Sequence, residues 1–276
     1  MSTFEAILLG LVQGLTEFLP VSSSGHLVLA RTLLGVSGEG ITFEVMVHFG
    51  TFLAIVTVFR GEILKMIVSL LQGIGTFFGR KGIQQRLEAD GHLRLALWIV
   101  IGSIPAGFLG LLFEDYIEQA FSNPILVSGA LLVTGSMVWS TRYVKETGGE
   151  VGWKDAILIG AAQAFAMIPG ISRSGSTIVT GLWRKVDRAK AAEFSFLLAL
   201  PVIFGATLLK LKDVFEAPPS STEMWSLIVG TATAYASGYV AIRVLLGIVR
   251  KGKLDRFAYY CWAVGLVALF LQLVYK

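Results

Sequence analysis

The sequence predicts an all-α integral membrane protein, and three features of its composition predict this class. Of its 276 residues, 54% are hydrophobic and only 15% are charged, whereas soluble domains carry about 25% charged residues. Its 31 glycines are typical of helices that pack closely in lipid. Because the chain has one cysteine, a disulfide framework and a multi-cysteine metal centre are excluded.

Six apolar segments are long enough to cross a bilayer, which takes about 20 helical residues. Residues 61–92 are amphipathic to polar and predict an interfacial helix and a loop. No Lys or Arg precedes Arg31, so the basic region of a signal peptide is missing from the start of the sequence. The predicted spans are 43–60, 93–113, 124–140, 191–211, 224–249 and 257–275.

Two further apolar segments, residues 4–36 and 155–184, are interrupted by polar residues. The first is broken at Pro20-Val-Ser-Ser-Ser-Gly25 and the second at Pro169-Gly-Ile-Ser-Arg-Ser-Gly175. Each half is too short to cross the bilayer alone. Both segments therefore predict re-entrant helical hairpins, which occur at membrane depth only where the loop is buried in protein or lines a cavity.

The two interrupted segments align without gaps when the chain is offset by 150 residues. Eight of the twenty positions from 6 to 25 are then identical. Shared apolar composition explains some of these identities, but it does not explain a Ser-x-Ser-Gly pattern in register. The sequence predicts one membrane domain, residues 1–276, built from two repeats at about 4–141 and 154–276.

The distribution of basic residues predicts how the repeats are oriented. Three spans separate the hairpins, and an odd number inverts the second repeat. With both hairpins re-entrant, one side of the membrane receives 17 Lys and Arg residues and the other side four. If both segments crossed, the division would be 12 to 9. The positive-inside rule favours the first arrangement, with both termini outside and the two loops meeting near the midplane, as in inverted-repeat transporters.

Polar residues around the two breaks predict an anion site. Helices that begin at these breaks direct backbone N–H groups and the positive end of the helix dipole towards the gap. Two facing helix N-termini, several hydroxyls and one arginine suit an anion with many oxygens, most simply phosphate or diphosphate. The candidates are Gln13, Glu17, Ser22, Ser23, Ser24 and His26 in the first segment and Ser172, Arg173, Ser174, Ser176 and Thr177 in the second.

Ionisable groups inside a membrane are costly and usually functional, which favours roles for Glu17, His26 and Arg173. Arg173 needs an anionic partner, either Glu17 or a bound phosphate, and the phosphate is favoured. For each serine, capping of the hairpin is an equal alternative. Other intramembrane residues are expected to support the hairpins or, for the arginine, to snorkel: Glu44, His48, Glu193 and Arg243.

The segments Gln13-Gly-Leu-Thr-Glu17-Phe-Leu-Pro-Val-Ser-Ser-Ser-Gly-His26-Leu and Pro169-Gly-Ile-Ser-Arg173-Ser-Gly-Ser-Thr177 resemble the two signature motifs of the BacA/UppP family. These are undecaprenyl-diphosphatases of bacterial membranes, linked to bacitracin resistance. The resemblance covers the whole chain, including residues 191–201, and implies six spans with two re-entrant hairpins in inverted repeats. It matches Glu17, His26 and Arg173 to central active-site positions, Ser23 to the proposed nucleophile, and Ser22 and Ser172 to neighbouring site serines.

The resemblance also implies a divalent cation, Mg²⁺ or Ca²⁺, and a polyprenyl diphosphate substrate. The first motif of the family begins with Glu or Gln, and this chain has Gln13. Gln13 cannot act as a base or a charged metal ligand, which leaves Glu17 as the only candidate side chain for a metal. The resemblance further implies a bacterial plasma (inner) membrane location and an active site that opens outward.

The expected activity is hydrolysis of undecaprenyl diphosphate to undecaprenyl phosphate and inorganic phosphate, which recycles the lipid carrier for cell-wall synthesis. The expected catalytic residues are Glu17, Ser23, His26 and Arg173. The expected substrate-binding residues are Gln13, Ser22, Ser24, Ser172, Ser174 and Thr177. Ser23 would attack phosphorus with help from His26 and Glu17, although His26 or a Glu17-activated water are alternative nucleophiles.

Two other functions are alternatives to hydrolysis. A lipid-phosphate flippase or anion transporter would use the same site without a nucleophile, and a bifunctional protein would do both. A type 2 phosphatidic acid phosphatase is disfavoured because no histidine follows His92. Membrane lipids are expected partners and nucleic acid is not, and the oligomeric state stays open between a monomer and a homodimer.

Overall fold

A computed structural model of the protein describes residues 1–34, 40–74, 80–145, 148–216 and 221–274. These residues form thirteen α-helices and no strand, with short 3₁₀ turns at Ser140–Tyr143 and Leu254–Arg256. The helices are α1 Thr3–Phe18, α2 Ser23–Leu34, α3 Gly40–Val58, α4 Arg60–Ile74, α5 Arg80–Ala89, α6 Gly91–Leu112, α7 Glu114–Phe121, α8 Pro124–Trp139, α9 Trp153–Phe165, α10 Arg173–Trp183, α11 Arg188–Glu216, α12 Ser221–Arg250 and α13 Phe257–Val274.

Helical segments long and apolar enough to cross a membrane confirm the predicted class of an all-α membrane protein. Within the described residues there are five such segments, and they coincide with five of the six predicted spans. The sixth, 43–60, corresponds to α3, which meets the same criterion only together with α4 after a bend of 79°. The five are Gly91–Leu112, Pro124–Tyr143, Arg188–Leu208, Glu223–Arg250 and Leu254–Val274.

Both predicted interruptions are breaks between helices. The first lies between α1, which ends at Phe18, and α2, which begins at Ser23. The second lies between α9, which ends at Phe165, and α10, which begins at Arg173. The two helices of each segment pack against each other, as a helical hairpin requires. The ends of two predicted segments, residues 35–36 and 275, lie outside the described residues.

The first helix of each hairpin packs on a long helix of the other half of the chain. Helix α1 packs along α12, and α9 packs along α6. The contact is closest at Gly10, which faces the carbonyl of Gly230, and at Gly160, which faces the carbonyl of Gly102. Any side chain at these two glycines would collide with that backbone. Gly10 and Gly160 are equivalent in the 150-residue offset, so this packing agrees with the predicted inverted repeats, which stay a prediction.

Aromatic packing fixes the end of α1 at the centre of the molecule. The ring of Phe18 meets Phe196 of α11 edge to face, with centroids 5.6 Å apart, and Phe59 packs on the same ring at 5.9 Å. Gly238 of α12 leaves the space that the Phe18 ring occupies. Because Phe18 is completely buried, the preceding residue, Glu17, is held in a defined position.

Candidate active site

The two breaks meet through reciprocal hydrogen bonds. The Gly170 N–H donates to the hydroxyl of Ser24 at 3.4 Å, and the hydroxyl of Ser174 donates to the Leu19 carbonyl at 3.1 Å. Ser24 and Ser174 are equivalent in the 150-residue offset. The second serine of each Ser-x-Ser-Gly pattern therefore contacts the other loop. The two loops meet, as the sequence predicts.

The first serine of each pattern caps the helix that follows. The Ser22 hydroxyl accepts from the Gly25 N–H at 3.2 Å, and the Ser172 hydroxyl accepts from the Gly175 N–H at 3.0 Å. Such side-chain bonds satisfy N–H groups that have no partner within the helix. Ser22 and Ser172 therefore cap their helices, which is the alternative to substrate binding that the sequence offers for each serine.

Backbone conformation in both loops is constrained by neighbouring groups. Ser22 has φ +68° and Gly170 has φ +93°, and a left-handed conformation is uncommon for a residue other than glycine. The Val127 carbonyl lies so close to Gly170 that a side chain would not fit. Thr134 of α8 donates to the Gly170 carbonyl at 2.9 Å and accepts from the Ser172 N–H at 3.0 Å. Thr134 was not predicted from the sequence, because its role depends on how α8 packs.

Glu17 is the centre of the polar cluster between the loops. Its side chain is only 6% exposed, and its Oε1 pairs with the guanidinium of Arg173. Its Oε2 accepts from the Ser23 hydroxyl at 2.6 Å and from the Gln13 amide at 2.9 Å. Three predicted residues are thus joined through one carboxylate. The Ser23 hydrogen points at a base, which leaves the oxygen lone pairs of Ser23 free.

A cavity of about 300 Å³ opens on this cluster. A buried nitrogen of Arg173, Nη1, has no partner among the described residues, and Arg173 lines the cavity. The lining has a polar part and an apolar wall of mostly small or branched side chains. The polar part is Glu17, Ser23, Ser24, Glu44, His48, Gln163, Ser172, Arg173 and Thr207; the apolar wall includes Ala106, Ala166, Met167, Ala199, Val202 and Ala206. Such a cavity suits an anion attached to a hydrocarbon chain.

His26 is not brought together with Glu17 and Arg173. Its Nδ1 donates to the Ser22 carbonyl at 2.8 Å, because a carbonyl can only accept. Its Nε2 then accepts from the Tyr260 hydroxyl at 2.8 Å. His26 is not among the residues that line the cavity. Its catalytic role stays a prediction.

His48 is the imidazole that lies next to the central carboxylate. Its Nε2 is 3.6 Å from Oε2 of Glu17, and its Nδ1 donates to the Glu44 carbonyl at 2.8 Å. The sequence singled it out only as a supporting residue. An ionisable group inside a span is a reason to expect a function for His48. Its place beside Glu17 depends on the packing of α3 against α1, which the local sequence does not indicate.

The predicted substrate-binding residues divide into two groups. Ser24 and Ser172 line the cavity, whereas the other four do not. Thr177 is fully buried and bonds to Ser195 of α11. The four residues outside the lining are Gln13, Ser22, Ser174 and Thr177, and Gln13 reaches the site through its bond to Glu17.

Residues expected to have supporting roles lie in three places. Glu44 lines the cavity and pairs with Arg31 at 2.8 Å. Glu193 lines a second cavity of about 200 Å³, together with His92 and other charged residues. Arg243 donates to the Tyr239 hydroxyl at 2.7 Å. Glu44 therefore belongs to the site, while Glu193 and Arg243 do not line its cavity.

Comparison with known proteins gives consistent matches over almost the whole chain. A family model described as "Bacitracin resistance protein BacA" matches residues 6–267. Three similar proteins are each named undecaprenyl-diphosphatase. The protein of Desulforapulum autotrophicum is 43% identical over 272 residues, which cover 98% of both chains. That of Halothermothrix orenii is 44% identical over 275 residues, again 98% of both. That of Desulfosudis oleivorans is 45% identical over 277 residues, 98% of this chain and 99% of the relative.

Proposed function

Because the chain belongs to the BacA family of bacitracin resistance proteins, we propose that it is a membrane undecaprenyl-diphosphatase. It removes the terminal phosphate of undecaprenyl diphosphate and releases undecaprenyl phosphate and inorganic phosphate. The product returns to cell-wall synthesis as the lipid carrier. The observation that carries this proposal is the 2.6 Å hydrogen bond from Ser23 to Glu17 at a cavity that Arg173 also lines.

Ser23 is the proposed nucleophile. Its hydroxyl proton passes to Oε2 of Glu17 as the Ser23 oxygen bonds to the terminal phosphorus. The bond from that phosphorus to the bridging oxygen breaks, and its electron pair leaves with undecaprenyl phosphate. Water then hydrolyses the phosphoserine and regenerates the hydroxyl. The bond between Ser23 and Glu17 favours this route over attack by His26, whose Nε2 is bonded to Tyr260.

Arg173 and the helix starts supply the positive charge that phosphoryl transfer requires. Catalysis of this reaction rests mainly on positioning and on stabilising spread negative charge. The partnerless nitrogen of Arg173 supports a contact with the terminal phosphate. The first turns of α2 and α10 lie on either side of the meeting point and add N–H donors.

A divalent cation fits these residues only if the substrate helps to hold it. Among the described residues, no group of three or more His, Cys, Asp and Glu is arranged to hold a metal. Glu17 would supply the charged ligand, and the neutral amide oxygen of Gln13, which is buried without a partner among the described residues, would add a second oxygen beside it. Mg²⁺ is often bound through one or two carboxylates plus substrate phosphates. When bound, the cation would neutralise charge on the diphosphate oxygens.

The proposed topology has six spans and two re-entrant hairpins in inverted repeats, within the bacterial inner membrane. The charge division of 17 to four supports it and puts both termini outside. The bend between α3 and α4 supports α4 as an interfacial helix. With the cavity open outward, the prenyl chain would follow the apolar wall, which supports a lipid substrate rather than a soluble diphosphate.

Substitution of the nucleophile separates the hydrolase from the transporter hypothesis. Phosphate release from undecaprenyl diphosphate by purified protein in detergent is expected to disappear in Ser23→Ala, while binding of the lipid is retained. The matched control is Ser136→Ala, because the Ser136 hydroxyl donates within α8, accepts from Trp262 of α13 and does not line the cavity. Undiminished phosphate release by Ser23→Ala would overturn the assignment of Ser23 as the nucleophile. Absence of release by folded wild-type protein, with lipid transport across vesicles, would favour the transporter.

A further inference from the structure

Gln163 is a buried residue of the cavity that the proposed chemistry does not use. It lies on α9, is 3% exposed and lines the cavity. Its Oε1 has no partner among the described residues. Its Nε2 lies 3.5 Å from the Leu198 carbonyl, at the outer limit of a hydrogen bond. Leaving a buried amide unpaired is unfavourable, so a polar ligand at this place would complete the site.

The repeat explains why the Nε2 of this amide has no strong acceptor. Gln163 is equivalent to Gln13 in the 150-residue offset. Gln13 donates to Glu17, four residues later, but the position equivalent to Glu17 in the second half is Met167. Met167 also lines the cavity and can neither accept the amide proton strongly nor carry charge. The second half therefore keeps the amide and lacks the carboxylate.

The two halves also differ at the positions of Ser23 and Arg173. Arg173 is equivalent to Ser23, so the second half has a cation where the first half has the proposed nucleophile. A carboxylate in place of Met167 would repel an anion bound to Arg173. The first half thus carries a base and a nucleophile, and the second half carries an amide and a guanidinium, both of which suit an anion.

We propose that Gln163 is a further substrate-binding residue, whose side-chain amide binds a phosphate group of the diphosphate. Its Nε2 donates to a phosphate oxygen, and its Oε1 accepts from a phosphate that retains one P–OH. Arg173, whose buried Nη1 also lacks a partner within the described part of the chain, binds the same anion from the neighbouring helix. This inference rests on the proposed function, because it takes the diphosphate as the ligand of the cavity.

Binding of a non-hydrolysable analogue to the full-length protein in detergent tests this contact without relying on activity. The probe is the methylene-bridged diphosphonate of farnesol, measured by titration calorimetry. Gln163→Met keeps the length of the side chain and removes its polar atoms, so we expect about 10- to 100-fold weaker binding. Gln163→Glu keeps the shape and adds a negative charge, and we expect still weaker binding. It also serves as the second test if Gln163→Met does not yield folded protein.

Gln272→Met is the matched control. Gln272 also has a buried Oε1 for which the described residues offer no partner, and its Nε2 bonds to Ser128, but it does not line the cavity. We expect its binding of the probe to equal that of the wild type. Equal loss in Gln272→Met and Gln163→Met would overturn the assignment, because the effect would then be structural.

A second ligand, farnesyl monophosphonate, identifies which phosphate the amide binds. If Gln163→Met binds both ligands more weakly, the amide contacts the phosphorus group next to the farnesyl chain, which both ligands have. If it binds only the diphosphonate more weakly, the amide contacts the terminal phosphorus group. Wild-type affinity for the diphosphonate in Gln163→Met and Gln163→Glu would overturn the role of Gln163 and leave the proposed function intact. Failure of wild-type protein to bind the diphosphonate would overturn both.

Discussion

Glu17 and Arg173 lie 156 positions apart in the chain and form an ion pair at the centre of the molecule. Their side chains are 6% and 16% exposed, so both charges are largely removed from solvent. A buried ion pair is often no more stable than an apolar pair of the same volume. Its presence between two helix breaks is therefore better explained by chemistry than by stability.

Removing one member of this pair is expected to lower stability as well as activity. Glu17→Gln leaves the guanidinium of Arg173 without its carboxylate, and breaking a buried pair costs about 3–5 kcal/mol. The double variant Glu17→Gln/Arg173→Met has no unpaired charge, so we expect it to be more stable than Glu17→Gln and equally inactive. Thermal unfolding in detergent measures the first effect and phosphate release the second. A double variant less stable than Glu17→Gln would contradict the assigned coupling.

The two intramembrane histidines are expected to differ in importance. His48 faces Glu17 across 3.6 Å, whereas His26 bonds to Tyr260 outside the cavity lining. We expect His48→Gln to lower kcat of phosphate release by at least about tenfold, and more than His26→Gln does. His92→Gln is the control, because His92 lines the second cavity. A larger loss in His26→Gln would show that the imidazole leaves Tyr260 to act on the substrate.

Divalent cations are expected to bind together with the diphosphate and only weakly without it. The carboxylate of Glu17 contacts Ser23, and no cluster of three His, Cys, Asp or Glu ligands lies within the described residues. A chelator should therefore stop phosphate release, and Mg²⁺ should restore it. Calorimetry with Mg²⁺ should give heat only when farnesyl diphosphonate is present. Tight Mg²⁺ binding by the protein alone would point to a site that these residues do not form.

The proposed inverted topology predicts which loops are accessible from each side of the membrane. The single cysteine, Cys261, is fully buried, so Cys261→Ala provides a background without a reactive thiol. In that background we expect Ser2→Cys to react with an impermeant maleimide on intact cells and Lys253→Cys to react only after lysis. If Lys253→Cys reacted on intact cells and Ser2→Cys only after lysis, the protein would have the opposite orientation in the membrane.

Local sequence patterns predicted the parts of the site that depend on one helix or one turn. Gln13 and Glu17 are four residues apart, a spacing typical of one helix face, and the two side chains are hydrogen bonded. The Ser-x-Ser-Gly patterns predicted the helix starts. The sequence favoured a phosphate as the partner of Arg173. The structure pairs Arg173 with Oε1 of Glu17 and leaves its Nη1 without a partner among the described residues.

The parts that could not be predicted depend on contacts between distant helices. His26 turns to Tyr260, which lies 234 residues later, and no local rule reports that α13 is near α2. The proximity of His48 to Glu17 likewise depends on how α3 packs beside α1. Gln163 matches Gln13 in the 150-residue offset. That match does not indicate that Gln163 lines a cavity, because the cavity is formed by several helices.

Phosphate release from undecaprenyl diphosphate by wild-type protein and by Arg173→Ala, with Mg²⁺ and lipid supplied, tests the central claim most directly. We predict cation-dependent release that Arg173→Ala abolishes and that Arg243→Ala retains, since Arg243 contacts Tyr239 instead of the cavity. Release that survives in Arg173→Ala would put the active site elsewhere. No release by folded wild-type protein would contradict the diphosphatase assignment itself.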